Sequence, residues 1–314
     1  MVFVIRRVLQ SLVVVLVMSL VVFVGVHLVG DPVHILISDD MTQLEIERFI
    51  QKLGLDRPVH EQYFHFLANA VRGDLGNSFV FGEPALKLIL QRMPATLELA
   101  FAAFLLAIVF GVPLGMYAGL KPESPASKAI MAGSILGFSL PTFWVGLMLI
   151  MVFAVMLGWL PSTGRGDFGT WDGLRHLALP ALNLAIFKMA LVVRLSAAGA
   201  RETALQDYVK FARAKGLSPS RVVLVHVLKN ILVPVVTVLG LELGGLIAFS
   251  VVTETVFAWP GMGKLLIDSI QRLDRPVIVA YLVIIVLMFV VINLVVDLLY
   301  SALDPRVRLK EAKA

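Results

Sequence analysis

Cysteine is absent from this chain of 314 residues, and charged residues make up only 16% of it. Without a thiol the protein can form no disulfide framework, no thiolate metal site and no cysteine nucleophile. The scarcity of charge accompanies a hydrophobic fraction of 59%. This composition is too apolar for a soluble domain and is typical of a polytopic membrane protein.

Motifs for nucleotide or metal binding are also missing. A P-loop needs a lysine followed by serine or threonine, and no lysine in the chain has either residue after it. The string Gly164-x-Gly166-x-x-Gly169 has no strand before it and is interpreted as a turn. His60 and His65 are spaced one residue too far apart for a zincin pair. We therefore expect no catalytic, cofactor-binding or metal site.

Six apolar runs are long enough to cross a bilayer, because about 20 helical residues span the hydrocarbon core. The sequence therefore predicts an all-α polytopic membrane protein with six transmembrane helices. These runs lie near residues 8–29, 96–119, 129–157, 178–199, 231–253 and 278–300. The predicted organisation is a first transmembrane helix at 1–30, a periplasmic segment at 31–95, a core at 96–300 and a tail at 301–314.

Basic residues are distributed unequally between the two sides of this arrangement. One side comprises segments 1–7, 120–128, 200–230 and 301–314, and the other comprises 31–95, 158–177 and 258–277. The first side has 14 Lys and Arg against 5 Asp and Glu, and the second has 11 against 13. The positive-inside rule therefore predicts that both termini are cytoplasmic. The pI near 9.5 is explained by this orientation, and we expect no nucleic-acid partner.

The outer segment 31–95 contains three amphipathic stretches. Thr42 and Glu45 have the spacing of a capping box, and the helix that they start is predicted to end at Gly54. A second helix is predicted from Pro58 and a third from Pro84. We expect these helices to cover the outer face of the spans rather than form a catalytic domain.

Small residues and prolines are placed within the spans in a way that affects helix packing. Gly111, Gly115 and Gly119 recur every four residues, which places them on one helix face and allows close approach of a neighbour. The pairs Gly133/Gly137 and Gly240/Gly244 have the same spacing. Pro113 and Pro141 predict kinks whose freed carbonyl groups need partners.

Several charged or polar residues lie within the predicted spans, where an unpaired charge is costly. They are Lys188, Arg194, Glu242, Asn293 and Asp297. Glu242 is open to three interpretations: a proton relay, a polar lining of a translocation path, or an ion pair with the fourth helix. Phe138, Trp144, Glu242 and Asn293 are the candidate pathway residues.

The segment 201–234 is the longest polar interruption on the cytoplasmic side. Leu205, Tyr208, Val209 and Ala212 predict one face of a helix from Glu202 to Lys215. Gly216 is predicted to end that helix in a left-handed conformation. Ser218 is then the expected N-cap and Pro219 the first residue of a second helix.

The residues of this segment resemble a known family. DYVKFARAKG followed by GLSPSRVVLVHVLKNILVPVVT resembles the cytoplasmic EAA-type loop of bacterial ABC importer permeases, and more narrowly that of dipeptide/oligopeptide importers. LGWLPSTG at 157–164 and VFAWPGMGKLLIDSI at 256–270 add to the resemblance, which covers about Met1 to Leu309. Lys229 stands where the general pattern has a proline, and Lys210-Phe211-Ala212 replaces its Glu-Ala-Ala.

The resemblance implies a type I ABC importer permease fold in the bacterial cytoplasmic (inner) membrane. It implies a second homologous permease, two ABC ATPases that bind ATP and Mg, and a periplasmic or lipid-anchored solute-binding protein. It also implies that segment 200–230 docks on an ATPase, with Ala212 and Gly216 carried over directly from the family pattern. The expected ATPase-coupling residues are Leu205, Tyr208, Phe211, Ala212, Arg213, Gly216, Ser218 and Pro219.

Other functions are weighed against ATP-driven uptake of short peptides. Within the family, glutathione or a nickel chelate is an alternative cargo. In a different class, a proton-coupled secondary transporter would use Glu242, although no internal repeat favours it. An intramembrane enzyme lacks a nucleophile–base or metal pair at matching depth.

Overall fold

A computed structural model of the chain describes residues 2–29, 42–44, 47, 51 and 56–303, and these are mostly helical with no strand among them. The expected capping box and first outer helix, which include Glu45 and Gly54, lie outside the described residues. The helices are α1 (Val2–Val29), α2 (Val59–Ala70), α3 (Ala85–Leu120), α4 (Pro125–Ser139), α5 (Thr142–Leu149), α6 (Trp171–Ala204), α7 (Asp207–Ala214), α8 (Pro219–Arg221), α9 (Lys229–Val256), α10 (Met262–Gln271) and α11 (Arg275–Leu303). π-helical segments follow α5 at Ile150–Met156 and α8 at Val222–Leu228.

Four helical stretches among the described residues are long and apolar enough to cross a membrane. They are Ala85–Leu120, Trp171–Ala204, Pro234–Val256 and Arg275–Val296. A fifth span results if α4, α5 and the π-helical segment after it count as one. The first predicted span falls in α1, whose shorter apolar stretch is Leu12–Gly25. The all-α class is therefore confirmed, and the number of six spans stays a prediction.

The predicted third span, 129–157, is not one continuous helix. α4 ends at Ser139, Thr142 begins α5, and the chain bends by 108° between them. Leu140 is extended, with φ −83° and ψ 140°, because a residue before proline is pushed out of the α region. Pro141 thus produces a break larger than the expected kink, whereas Pro113 lies inside the unbroken α3.

The helix expected from Pro84 is not separate from the second predicted span. Both belong to α3, which is 36 residues long. Pro94 lies between the amphipathic stretch and the apolar run, where a proline is expected to end or kink a helix, but α3 continues through it without a break. The second outer helix, by contrast, is found as predicted, as α2 directly after Pro58.

The described residues form two compact units, the first comprising Met1–Ala95 and Pro260–Val291. In this unit Phe23 of α1 lies against Tyr63 and Phe66 of α2, with ring centroids 5.4 and 5.7 Å apart. Val279 and Val283 of α11 complete the same apolar cluster. The amphipathic face of α2 is therefore used for packing, as the sequence predicts.

A buried carboxylate organises the turn between α10 and α11 in the first unit. Asp274 is fully buried, and it accepts hydrogen bonds from the Ser78 hydroxyl and, at 3.0 Å, from the Phe79 N–H. The Ser78 oxygen in turn accepts from the N–H of Phe81 at 2.8 Å. These bonds attach the loop after α2 to the start of α11, because a buried carboxylate must be hydrogen-bonded.

The second unit comprises Thr96–Trp259 and Ile292–Ala314, and α6 is its central helix, packed against α4, α5 and α9. α3 also crosses α6 closely. A Cβ at Gly115 or Gly119 would collide with backbone carbonyl groups of α6, those of Val193 and Ala197. The predicted close-packing face is therefore confirmed for this set of glycines.

The other glycine positions behave less uniformly. A Cβ at Gly240 would lie 2.8 Å from a Val296 methyl group, whereas a Cβ at Gly133 would meet no atom of the described residues within 4 Å. The close-packing prediction is therefore wrong for Gly133. The interpretation of Gly164, Gly166 and Gly169 as a turn is confirmed, because all three have positive φ outside any helix.

Candidate functional site

The loop that follows α6 begins with a break in the predicted helix. α6 extends to Ala204, and its last turn is closed by the N–H of Leu205, which donates to the Glu202 carbonyl, and by the N–H of Gln206, which donates to the Thr203 carbonyl. Gln206 is extended, with φ −69° and ψ 147°, and α7 starts at Asp207. The expected helix from Glu202 to Lys215 is therefore wrong at its start. Leu205 lies outside α7 and is 67% exposed.

One face of α7 is packed inward. Val209 and Ala212 are buried and form an apolar cluster with Val222, against which Leu217 also packs. Their spacing of three residues places both on one side of the helix. Ala212, one of the expected coupling residues, therefore lies on the buried face of α7 and is not exposed to a partner.

The face of α7 next to the buried one presents two aromatic side chains, since adjacent residues are separated by about 100° around a helix. Tyr208 is 44% exposed and Phe211 is 60% exposed. The Tyr208 ring lies 6.5 Å from the ring of His226, and the Lys215 ammonium lies 4.6 Å from the centre of the Phe211 ring. Because the other face of α7 is packed against the loop, these exposed rings are held in place and form an apolar surface suited to binding a partner.

The turn after α7 depends on Gly216, which has φ +75°. Its N–H donates to the Arg213 carbonyl at 2.9 Å, and the Leu217 N–H donates to the Ala212 carbonyl at 3.3 Å. A Cβ added at this position would meet nothing within 4 Å. The requirement for glycine is therefore conformational rather than steric, as the sequence predicts.

The second part of the loop differs from the expected short helix. Pro219 is the first residue of α8, as predicted, but the Ser218 side chain makes no capping hydrogen bond to the helix. α8 ends at Arg221 and continues through the π-helical segment into α9. Within the wider π turn, the carbonyl of His226 accepts from the Asn230 side chain at 2.6 Å. The loop is thus joined to α9 by unbroken helical structure.

The charges of α7 are partly matched within the helix. The Lys210 ammonium lies 2.9 Å from the Asp207 carboxylate. The hydrogen bond and the positive charge of Lys210 hold the pKa of Asp207 below its usual range. Asp207 also stands in the first turn, where a negative charge favours the helix N-terminus. Arg213, another expected coupling residue, is exposed at the other end.

The candidate pathway residues are distributed over several helices. Glu242 of α9 forms an ion pair with Lys188 of α6, as one of its three interpretations predicts. The Arg194 guanidinium lies 5.5 Å from the centre of the Phe138 ring. Trp144 is exposed on α5 and Asn293 is partly exposed on α11. Their role in a pathway stays a prediction.

A buried polar cluster in the second unit was missed by sequence reasoning. Glu254 of α9 is fully buried and accepts hydrogen bonds from the hydroxyl groups of Thr96 at 2.7 Å and Ser250 at 2.9 Å. At the residue before Glu254, the Thr253 hydroxyl accepts a hydrogen bond from the Asn183 side chain of α6 at 2.9 Å. The sequence feature that could have predicted this cluster is a glutamate four residues after Ser250, at the end of an apolar helix.

An ion pair on the same unit also escaped prediction. The Arg165 guanidinium contacts the Glu98 carboxylate, with 2.8 Å between Nε and Oε2, and lies 5.9 Å from the centre of the fully buried Trp259 ring. The 164–170 loop is therefore anchored to α3. Both charged residues stand near the ends of apolar runs and look unremarkable in the sequence.

Comparisons with solved structures support the fold. The chain resembles a chain of the MetNI methionine ABC transporter in an inward-facing conformation, with a TM-score of 0.54, 18% identity, and coverage of 70% of this chain and 97% of that one. At this identity the likeness concerns the fold alone.

Three relatives are similar over nearly their whole length. The di/tripeptide transport system permease protein of Pseudomonas aeruginosa is 40% identical, covering 92% of this chain and 94% of that protein. The oligopeptide transport system permease protein of Bacillus subtilis is also 40% identical (97% and 98%). The glutathione transport system permease protein of Escherichia coli is 40% identical as well (98% and 99%).

The family comparison covers both parts of the sequence. Residues 1–100 match the N-terminal region of binding-protein-dependent transport system membrane components. Residues 111–309 match the binding-protein-dependent transport system inner membrane component itself. The resemblance found in the loop sequence therefore extends over the whole protein, and the chain belongs to the family of inner-membrane permease components of binding-protein-dependent transport systems.

Proposed function

We propose that this chain is the membrane-spanning permease subunit of an ATP-driven importer of dipeptides and oligopeptides, located in the cytoplasmic membrane. The observation that carries the proposal is the geometry of α7. This helix displays Tyr208 and Phe211 outward and rests on buried Val209 and Ala212, and the Gly216 turn connects it to α8, from which helical structure runs unbroken into α9. A partner that binds this surface can move α7, and the movement can be transmitted through the loop to a membrane helix.

In this proposal, a separate ATPase drives the movement of α7. No lysine in the chain precedes serine or threonine, so a P-loop is absent. We propose two cytoplasmic ABC ATPases that bind ATP and Mg, one of which receives α7 in a groove. A second homologous permease and a periplasmic or lipid-anchored solute-binding protein complete the assembly. Both termini and the 200–230 loop then lie on the cytoplasmic side, with six spans between them.

The proposed cargo rests on the relatives. Two of the three have di/tripeptide or oligopeptide transport in their names, and the third has glutathione, which is itself a small peptide. Glutathione is therefore the second candidate cargo. A proton-coupled transporter is less favoured, because Glu242 is engaged by Lys188.

The test is uptake by the complete complex in proteoliposomes with its solute-binding protein outside. The expected result is accumulation of a labelled dipeptide that needs ATP on the ATPase side and is lost in Phe211→Ala. Competition by unlabelled tripeptide or by glutathione separates the two cargo candidates. Uptake that continues without ATP and follows an imposed pH gradient would contradict the proposal.

A further inference from the structure

A basic cavity lies where α3 and α6 end beside the 201–230 loop. Its volume is about 730 Å³, and its lining includes the cationic residues Lys121, Arg201 and Arg213 and no acidic residue. None of the described carboxylates forms an ion pair with these three side chains. Three cations facing one cavity without a neutralising partner favour an anionic occupant.

An apolar groove begins where the basic cavity ends. Leu120 and Val223 line both spaces, which makes them continuous. The groove, of about 490 Å³, is lined by apolar side chains and one tyrosine, among them Val109, Met116 and Leu224. It follows α3 from Ile108 to Leu120. At about 1.5 Å of rise per residue this is roughly 18 Å, close to the ~15 Å thickness of one hydrocarbon leaflet.

The basic cavity and the apolar groove follow each other along α3 in the order expected at a membrane surface. Lys121 directly follows the last residue of the apolar α3. One wall of the groove is formed by residues 108–120 of α3, and the other by residues of the π-helical segment and α9 from Val223 to Leu232. Val109 and Leu224 are 59% and 61% exposed, so the described chain leaves the groove uncovered. A charged cavity at the membrane surface and an apolar groove below it require an amphiphilic ligand with an anionic head.

We infer that this composite site binds an anionic phospholipid, with its phosphate among Lys121, Arg201 and Arg213 and an acyl chain along the groove of α3. Basic pockets between membrane helices on the cytoplasmic side suit such headgroups. The lipid lies between the ends of two membrane helices and the proposed coupling loop. The cavity shares Leu205, Arg213 and Pro219 with the expected ATPase-coupling residues, whereas Tyr208 and Phe211 do not line it.

The experiment measures phospholipid binding to the complete complex by native mass spectrometry, titrating phosphatidylglycerol against phosphatidylcholine. The test variant carries Lys121→Gln, Arg201→Gln and Arg213→Gln. Its control carries Lys210→Gln, Lys215→Gln and Arg221→Gln, which remove three cations of the loop that do not line the cavity. Since each cation contributes about fivefold to binding, the test variant is expected to lose up to roughly 100-fold in phosphatidylglycerol affinity. The control is expected to bind as the wild type does.

A second pair of variants tests the groove. Val109→Trp fills it, and Leu97→Trp places the same side chain on α3 away from it. Val109→Trp is expected to reduce phosphatidylglycerol binding by about tenfold, because a displaced acyl-chain contact of ~1.4 kcal/mol corresponds to that factor. Leu97→Trp is expected to leave binding unchanged.

Several results would overturn the inference. One is equal binding of phosphatidylglycerol and phosphatidylcholine, and another is equal loss in the two triple variants. If the cavity variant lost phosphatidylglycerol binding but Val109→Trp did not, the headgroup would bind in the cavity without an acyl chain in the groove, and the composite site would be wrong. Cross-linking of Arg213 to an acidic residue of the ATPase in the resting complex would assign the cavity to that partner instead.

Discussion

The hydroxyl group of Thr96 donates a hydrogen bond of 2.7 Å to the buried carboxylate of Glu254, across 158 residues of sequence. This bond connects α3 to the end of α9 inside the second unit. A buried carboxylate that loses a donor keeps its desolvation cost without compensation. The contact is therefore a point at which a small substitution has a measurable effect on stability.

Thr96→Val removes this donor and keeps the side-chain shape. The expected result is a loss of about 1.5–3 kcal/mol in the free energy of unfolding, the range for hydrogen bonds to charged groups. Thermal unfolding of the purified protein in detergent measures it. Thr255→Val is the matched control, because the Thr255 hydroxyl is exposed and donates only to the backbone carbonyl of Val251. Equal destabilisation by the two substitutions would contradict the importance of the Glu254 bond.

The turn at Gly216 gives a second prediction. Gly216→Val is expected to cost at least about 1–2 kcal/mol locally, because a residue with a Cβ is disfavoured at positive φ. The resulting shift of α7 is expected to uncouple ATP hydrolysis from uptake while the protein stays inserted in the membrane. Gly216→Asn is the control, since asparagine tolerates the left-handed region. The ratio of ATP hydrolysed to peptide imported is the measurement, and normal coupling in Gly216→Val would refute the hinge role of this turn.

The two faces of α7 are expected to respond differently to truncation. Phe211→Ala is expected to weaken ATPase binding by about 1–3 kcal/mol with little change in thermal stability, because the ring is largely exposed. Val209→Ala is expected to lower stability by roughly 0.5–1.5 kcal/mol or more, because Val209 is fully buried. Co-purification of the ATPase and thermal unfolding separate the effects. If Phe211→Ala retained the ATPase at wild-type affinity, α7 would not be the docking helix.

The ion pair between Lys188 and Glu242 is tested by a double-mutant cycle. Lys188→Met and Glu242→Gln are each expected to destabilise the protein, and the double variant less than their sum, with a coupling of about 0.5–3 kcal/mol. Both side chains are partly exposed, at 17% and 38%, so the lower half of this range applies. Additive effects in thermal unfolding would show that the pair contributes no interaction energy.

The same cycle separates pairing from transport. If Glu242 acted as a proton relay, Glu242→Gln would abolish uptake at all ATP concentrations. In the ATP-driven importer proposed for this chain, uptake by Glu242→Gln is expected to remain ATP-dependent, with its loss matching the loss of folded protein. Uptake measured per amount of inserted complex distinguishes these results.

The structure of the 201–234 segment could be predicted in part from its local sequence. Gly216 and Pro219 occupy the predicted positions, because the left-handed turn and the first helical residue are decided by backbone preferences of single residues. The break at Leu205–Gln206 was not predicted, since nothing in the local sequence stops a helix at that point. It arises where α7 turns to bury Val209 and Ala212 against Val222, and Val222 belongs to the following helical segment.

The sequence by itself determined the membrane class, the approximate positions of the apolar helices, the α3 glycine face and the family. These follow from hydrophobic length, from residue spacing and from motifs in a fixed order, which need no knowledge of neighbours. Only the tertiary structure decided the 108° bend at Leu140–Pro141, the pairing of Lys188 with Glu242 and the burial of Glu254 beside Thr96. Those features depend on which helices pack together, and polar groups far apart in sequence become partners only when that packing removes them from water.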